Sequence, residues 1–211
     1  MRDAPRALDE AIDYVYSTKP GGLKLEPNQV RSELRDFLLL VQELRPRTVV
    51  EIGTALGGTL FLLTRVAAPD AILVSVDLSS PRDLSFGGGN VAQRGPFYEA
   101  FALDEQRVHF LARDSHDAAT RDAIEQRLDG REVDVLFIDG DHSEAGVERD
   151  FELYADLVRD GGLVVFHDIV DGPAGLVGGV PGFWRRVKTP SAQELVADPG
   201  QGGYGIGVLR R

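Results

Sequence analysis

The stretch Thr48 to Thr59, reading TVVEIGTALGGT, constrains this chain more than any other. Thr48 to Ile52 is a β-branched run of the kind that becomes a buried strand. Glycines follow at 53, 57 and 58, and Leu60 to Ala67 has the composition of a helix. Strand, glycine turn and helix form the front half of a βαβ unit. Glycine lets the backbone take conformations that a Cβ forbids and lets a ligand come close. The free N–H groups at a helix start favour a negative group there. A dinucleotide turn reads G-x-G-x-x-G. Here the spacing is Gly53-x-x-x-Gly57-Gly58, and an acid, Glu51, closes the strand. A carboxylate in the cradle repels a diphosphate and suits a cationic or zwitterionic ligand, such as the methionine end of S-adenosylmethionine. The simpler alternative is a helix-packing turn with a solvated Glu51.

Composition narrows the rest. A chain of 211 residues predicts one domain with a buried core. No apolar run approaches the ~18 residues that span a bilayer, and Met1-Arg2-Asp3-Ala4-Pro5 offers no apolar signal core. The expected location is cytoplasmic. The chain has no cysteine, which excludes disulfides, thiolate metal sites and cysteine nucleophiles. A formal net charge of −11 opposes nucleic acid and anionic membranes as partners. Its main expected role is solubility.

In chain order, Leu8 to Tyr16 reads as a short helix ended by Lys19-Pro20-Gly21-Gly22. Residues 1–27 are expected to form an N-terminal helical extension: a lid, an oligomer contact or a packed addition. Residues 28–211 form the domain proper. Gln29 to Leu44 is amphipathic, with Asn28 as its expected N-cap. Ala71 to Asp77 is a second buried strand, and Asp77 at its carboxyl end can accept hydrogen bonds from ribose hydroxyls. Ser79 to Gly95 is aperiodic and reads as a flap near the substrate, followed by a helical Pro96 to Leu103. Val108 to Ala112, Val133 to Asp139 and Gly162 to Asp168 are further strands. Helices are expected over Ala118–Leu128 and Glu144–Val158. Asp139 and Asp168 then end neighbouring strands, close together over the sheet. The last third is loop over 171–182, a short helix Phe183–Val187, and strands over Ser191–Val196 and Tyr204–Leu209. His142, just past the fourth strand, has an ordinary pKa of about 6.5 and suits a general base. Its alternative is a cap or loop hydrogen bond at the helix start. His109 and His116 read as structural or exposed.

Three segments together carry a family likeness. Glu51-Ile52-Gly53-Thr54-Ala55-Leu56-Gly57-Gly58, Phe137-Ile138-Asp139-Gly140-Asp141-His142 and Phe166-His167-Asp168 resemble the class I S-adenosylmethionine-dependent methyltransferases. The branch they resemble includes cephalosporin-hydroxylase-like proteins and macrolide-sugar O-methyltransferases. The likeness runs from about Pro27 to the C-terminus. It implies an α/β fold: a single doubly wound, mostly parallel seven-stranded sheet, Rossmann-like, ending in an antiparallel pair. It implies S-adenosylmethionine as cofactor, with Glu51, Gly53, Thr54, Gly57 and Thr59 at the turn. Asp77 would lie at the ribose, Leu78 would also contact the cofactor, Asp114 and Ser115 would lie at the adenine, and Asp139 beside the methyl donor. Asp139 and Asp168 match the family's ligand positions for Mg²⁺ or another divalent metal. His167 stands where relatives put an acid or amide, so it either stays out of the metal or implies a softer ion. His142 and Asp139 would be catalytic. The expected reaction is methyl transfer to a hydroxyl of a small-molecule acceptor, a sugar or natural product, with homo-oligomerisation left open. The rivals are an NAD-dependent oxidoreductase, which calls for a third turn glycine and no acid at position 51, and a hydroxylase-associated cofactor-binding protein without methyl transfer.

Overall fold

The computed structural model describes residues 4–78 and 94–211. Strands β1 (Thr48–Ile52), β2 (Ile72–Asp77), β3 (Arg107–Ala112), β4 (Val133–Ile138) and β5 (Val158–His167) run parallel. β7 (Ile206–Arg210) pairs antiparallel with both β5 and β6 (Gln193–Leu195). The sheet order is β3-β2-β1-β4-β5-β7-β6. This is the expected mostly parallel seven-stranded sheet with its antiparallel end pair. The chain steps outward from β1 to β3, then returns to the other side of β1 for β4. That reversal opens a crevice at the carboxyl ends of β1 and β4, where ligands of such sheets bind.

Both faces of the sheet are covered, as parallel strands require. Alternate residues of one strand therefore serve opposite cores. Val49, Leu73 and Val135 pack on one side with α1 (Leu8–Ser17), α2 (Arg31–Leu44) and α3 (Gly58–Val66). Val50, Val74 and Leu136 pack on the other with α5 (Ala118–Leu128), α6 (Glu144–Tyr154) and α8 (Val180–Val187). Short helices α4 (Gly95–Glu99) and α7 (Ala174–Val177) complete the α-helices among the described residues. The N-terminal helix belongs to the first layer: Ala11, Ile12 and Val15 are buried, and Tyr14 stacks on Phe61 of α3 at 5.6 Å. No helix among the described residues is long and apolar enough to cross a membrane.

Several boundaries differ from the sequence reading. α2 begins after Val30, with no side-chain cap, so Asn28 does not cap it. α6 ends at Tyr154 in a 3-10 turn, Ala155–Leu157, and β5 begins at Val158 rather than at Gly162. The polar Arg159-Asp160-Gly161 stretch hid that extension; Arg159 Nε donates to Asp134 at 2.5 Å and ties the extra residues to β4. α4 is shorter than expected, and α7 forms inside a stretch read as loop. The flap expected over Ser79 to Gly95 falls mostly on residues 79–93, outside the described residues.

Candidate active site

The glycine turn is shaped by close approach. Gly53 has φ +94°, and a Cβ there would lie 2.0 Å from the carbonyl oxygen of Asp139. Only glycine lets the ends of β1 and β4 come so near. Asp139 N donates to Ile52 O and Gly53 N to Val76 O, both at 2.8 Å. Thr54 N and Ala55 N both donate to Asp77 Oδ2, at 3.0 and 2.7 Å. Asp77 thus shapes the turn as well as ending β2, where a ribose contact is expected. Gly57, at φ +83°, faces the Tyr98 ring, and the Tyr98 hydroxyl donates to Ala55 O at 2.8 Å. Leu78, next to Asp77, is 52% exposed.

Glu51 lies beneath this turn rather than at its surface. It is 0% exposed. The Ser75 hydroxyl donates to it, and Ser75 Oγ is 2.5 Å from Thr54 Oγ1. Burial pushes the Glu51 carboxyl up to about 8 against the lowering effect of Ser75, with Asp139 and Asp77 adding to the rise. The direct grip on a cationic ligand expected from the sequence is not the geometry seen. β1 sends this side chain into a layer closed over by the turn, and Glu51 reaches the turn through Ser75 and Thr54.

Beside the turn, two carboxylates and two imidazoles converge. His142 Nε2 is 3.4 Å from Asp139 Oδ1, and His142 Nδ1 is 3.3 Å from Asp168 Oδ2 and 2.6 Å from Leu176 O. His167 Nδ1 is 3.1 Å from Asp139 Oδ1. Asp168 holds a left-handed backbone, φ +63°, which is costly outside glycine. Both its oxygens are buried without a hydrogen-bond partner among the described residues. Asp139, His142 and Asp168 each bring one ligand atom within 4.8 Å of the others, a set able to hold a metal ion. The metal-capable set among the described residues therefore takes His142, which the sequence reads as a base, and leaves out His167, the first of the two alternatives open for that residue. His167 ends a strand inside the sheet, is 1% exposed at its side chain, and turns Nδ1 to Asp139. His142 stays 32% exposed on the loop after β4.

The charges of this cluster are mutually set. Burial opposes the Asp139 charge, but His167 and then His142 outweigh it and hold the carboxyl well below the usual range. The hydrogen bond to Asp139 lifts His142 to about 9. Burial raises Asp168. Ser143, not His142, caps α6, its hydroxyl accepting from Gly146 N at 3.0 Å. Sequence reasoning missed Gln29. Its amide donates to Asp139 Oδ2 at 2.7 Å and accepts from Thr59 Oγ1 at 2.8 Å, joining the start of α3 to the end of β4. Nothing in local spacing signals this, because the partners lie 30 and 110 residues away.

Past β3, Asp114 is exposed and Ser115 half-buried. Asp114 Oδ1 accepts from His116 N at 2.9 Å, closing a tight turn. The alternative role of these two residues as α5 caps falls away, since Asp117 takes the cap position. The turn sits at the carboxyl edge of the sheet, beyond Asp77, on the same side as the carboxylate cluster.

A family profile described as a methyltransferase domain matches residues 50–169, from the glycine turn to just past Asp168. The uncharacterized protein R132 of Acanthamoeba polyphaga mimivirus is 31% identical over 157 residues, covering 74% of this chain and 62% of R132. The chain thus spans less than two thirds of that relative's length. Two solved structures share the fold. The O-methyltransferase TomG of Streptomyces achromogenes, involved in tomaymycin synthesis and solved with SAM, is 21% identical with a TM-score of 0.59. The match covers 100% of this chain and 92% of TomG. The O-methyltransferase of Bacillus cereus, solved with SAH, is 20% identical with a TM-score of 0.54 and covers 96% of this chain and 90% of its own. The glycine turn, the strand-end acids and the profile that spans them make this chain a member of the methyltransferase-domain family.

Proposed function

We propose that this protein transfers the methyl group of S-adenosylmethionine to a hydroxyl of a small-molecule acceptor, with a divalent cation at Asp139, His142 and Asp168. The observation that carries the reading is the placement of that trio beside the glycine turn. The family membership and the likeness to O-methyltransferases solved with SAM or SAH support it. Gly53 and Thr54 would line the methionine end, Asp77 and Leu78 the ribose, and Asp114 with the Ser115 backbone the adenine. Thr59 reaches the same end through Gln29.

The residues present fit a divalent cation. Among the described residues Asp168 keeps two buried oxygens without hydrogen-bond partners, and its neighbours are a carboxylate and an imidazole. One nitrogen among oxygen donors suits Mg²⁺ less than Mn²⁺ or another borderline ion. Such an ion would lower the pKa of a bound hydroxyl and orient it. His142, lifted to about 9 by Asp139, carries a proton at neutral pH. As a ligand of the cation, with its other nitrogen against Leu176 O, it would give up that proton and have no lone pair left to act as a base. It would take the acceptor's proton only with the cation held by Asp139 and Asp168 alone. Positioning of acceptor against donor supplies much of the rate gain.

The experiment is calorimetric titration with S-adenosylhomocysteine and with NAD, followed by mass spectrometry of hydroxylated small molecules incubated with S-adenosylmethionine, with and without EDTA. Binding of S-adenosylhomocysteine and an acceptor heavier by one methylene unit is the expected result. Uptake of NAD instead would sink the reading. Cofactor binding with no transfer across acceptors would leave a binding protein.

A further inference from the structure

Helix α6 carries two groups that the site described above does not use. Asp150 is 0% exposed, and neither of its oxygens has a hydrogen-bond partner among the described residues. Tyr154, one helical turn on, is also buried. Both face the back of the turn Asp114–His116. The Tyr154 hydroxyl donates to Ser115 O. Ser115 draws the Asp150 carboxyl down against the rise from burial. His116 Nε2, itself buried without a hydrogen-bond partner among the described residues, is 3.5 Å from Asp150 Oδ1. On its other side the carboxylate meets the loop after β4, where a Cβ on Gly140 would lie 3.6 Å from Asp150 Oδ2.

A buried carboxylate is costly, and an apolar side chain would pack α6 on the sheet at less cost. Most of the polar groups around Asp150 belong to the Asp114–His116 turn, namely Asp114, Ser115 and His116, with Asp141 of the loop after β4 beside them. Asp114 closes that turn from within through His116 N. Asp150 and Tyr154 hold it from behind. We infer that Asp150 is a positioning residue for the adenine end of the cofactor, fixing with Tyr154 the place of the Asp114–His116 turn and so the preference for a 6-amino purine. The inference rests on the proposed function, which assigns that turn to the adenine.

The test separates the two claims. Wild type, Asp150→Asn and Tyr154→Phe are titrated with S-adenosylhomocysteine and with its 6-oxo analogue, S-inosylhomocysteine. Wild type should prefer the 6-amino compound by about tenfold, the scale of one well-made hydrogen bond. Both variants should lose most of that preference, while affinity for the 6-oxo compound shifts by less than about twofold. A merely structural role would lower the unfolding midpoint and leave the ratio alone. A ratio unchanged in either folded variant overturns the inference, and if Asp150→Asn does not fold, Tyr154→Phe decides. Wild type that binds neither compound overturns the proposed function instead, and wild type that binds both equally overturns the adenine assignment.

Discussion

Asp139 is where backbone and side-chain constraints meet. Its carbonyl leaves no room for a Cβ at position 53, and its carboxylate collects Gln29, His142 and His167. Gly53→Ala combines a disfavoured φ with a clash against backbone, so it should cost at least about 3 kcal/mol in urea unfolding. A loss under about 1 kcal/mol would mean that the turn shifts freely. Glu51 gives a pH signature. Its folded pKa, about 8, lies above its ordinary 4.5. The folded state therefore binds more protons than the unfolded one between those values. Its contribution is complete below about 4.5 and is lost as pH rises through about 8, at up to about 1.4 kcal/mol per pH unit. Glu51→Gln cannot ionise and should flatten the fall in thermal midpoint between pH 5 and 8.5. Parallel falls in wild type and variant would show that Glu51 is charged in the fold.

At the scale of elements, α1 is the instructive case. The sequence left it open between a lid, an oligomer contact and a packed addition. In the fold, Ile12 is 1% exposed and joins the same core as Phe61 and Leu34. Ile12→Ala should lower global stability by about 2–4 kcal/mol; a helix acting only as a lid would leave the urea midpoint nearly unmoved. The strands were legible because buried parallel strands are continuous apolar runs, and TVVEI, ILVSVD and VDVLFI read so directly. Asp77, Asp139 and Asp168 were legible for the same reason, as acids that end such runs. What sequence could not carry was direction. Glu51 and Asp77 both stand at strand ends, yet one points beneath the turn and the other into its amides. His142 and His167 lie equally near an aspartate in sequence, and only the fold decides which faces the open side. Gln29 and Asp150 act through contacts made far along the chain, where no period or motif applies.

For the whole molecule, charge and site interact. A formal net charge of −11 makes the folded chain repel itself, and any added salt relieves part of that. A divalent ion could therefore stabilise the protein without occupying Asp139, His142 and Asp168. The two effects separate at high ionic strength, where screening is already saturated. In 0.3 M NaCl, with a Debye length of about 6 Å, only site binding should remain. An ion at about one hundred times its dissociation constant adds about 2.7 kcal/mol. For a chain of this length, that raises the thermal midpoint by about 5–10 °C. Asp168→Asn removes one ligand charge but keeps a side chain that tolerates the left-handed backbone at φ +63°. It should fold and lose most of that rise. An equal rise in both proteins would assign the effect to screening. No rise in wild type with either Mn²⁺ or Mg²⁺ would remove the metal from the proposal and leave His142, Asp139 and the acceptor to manage the proton alone.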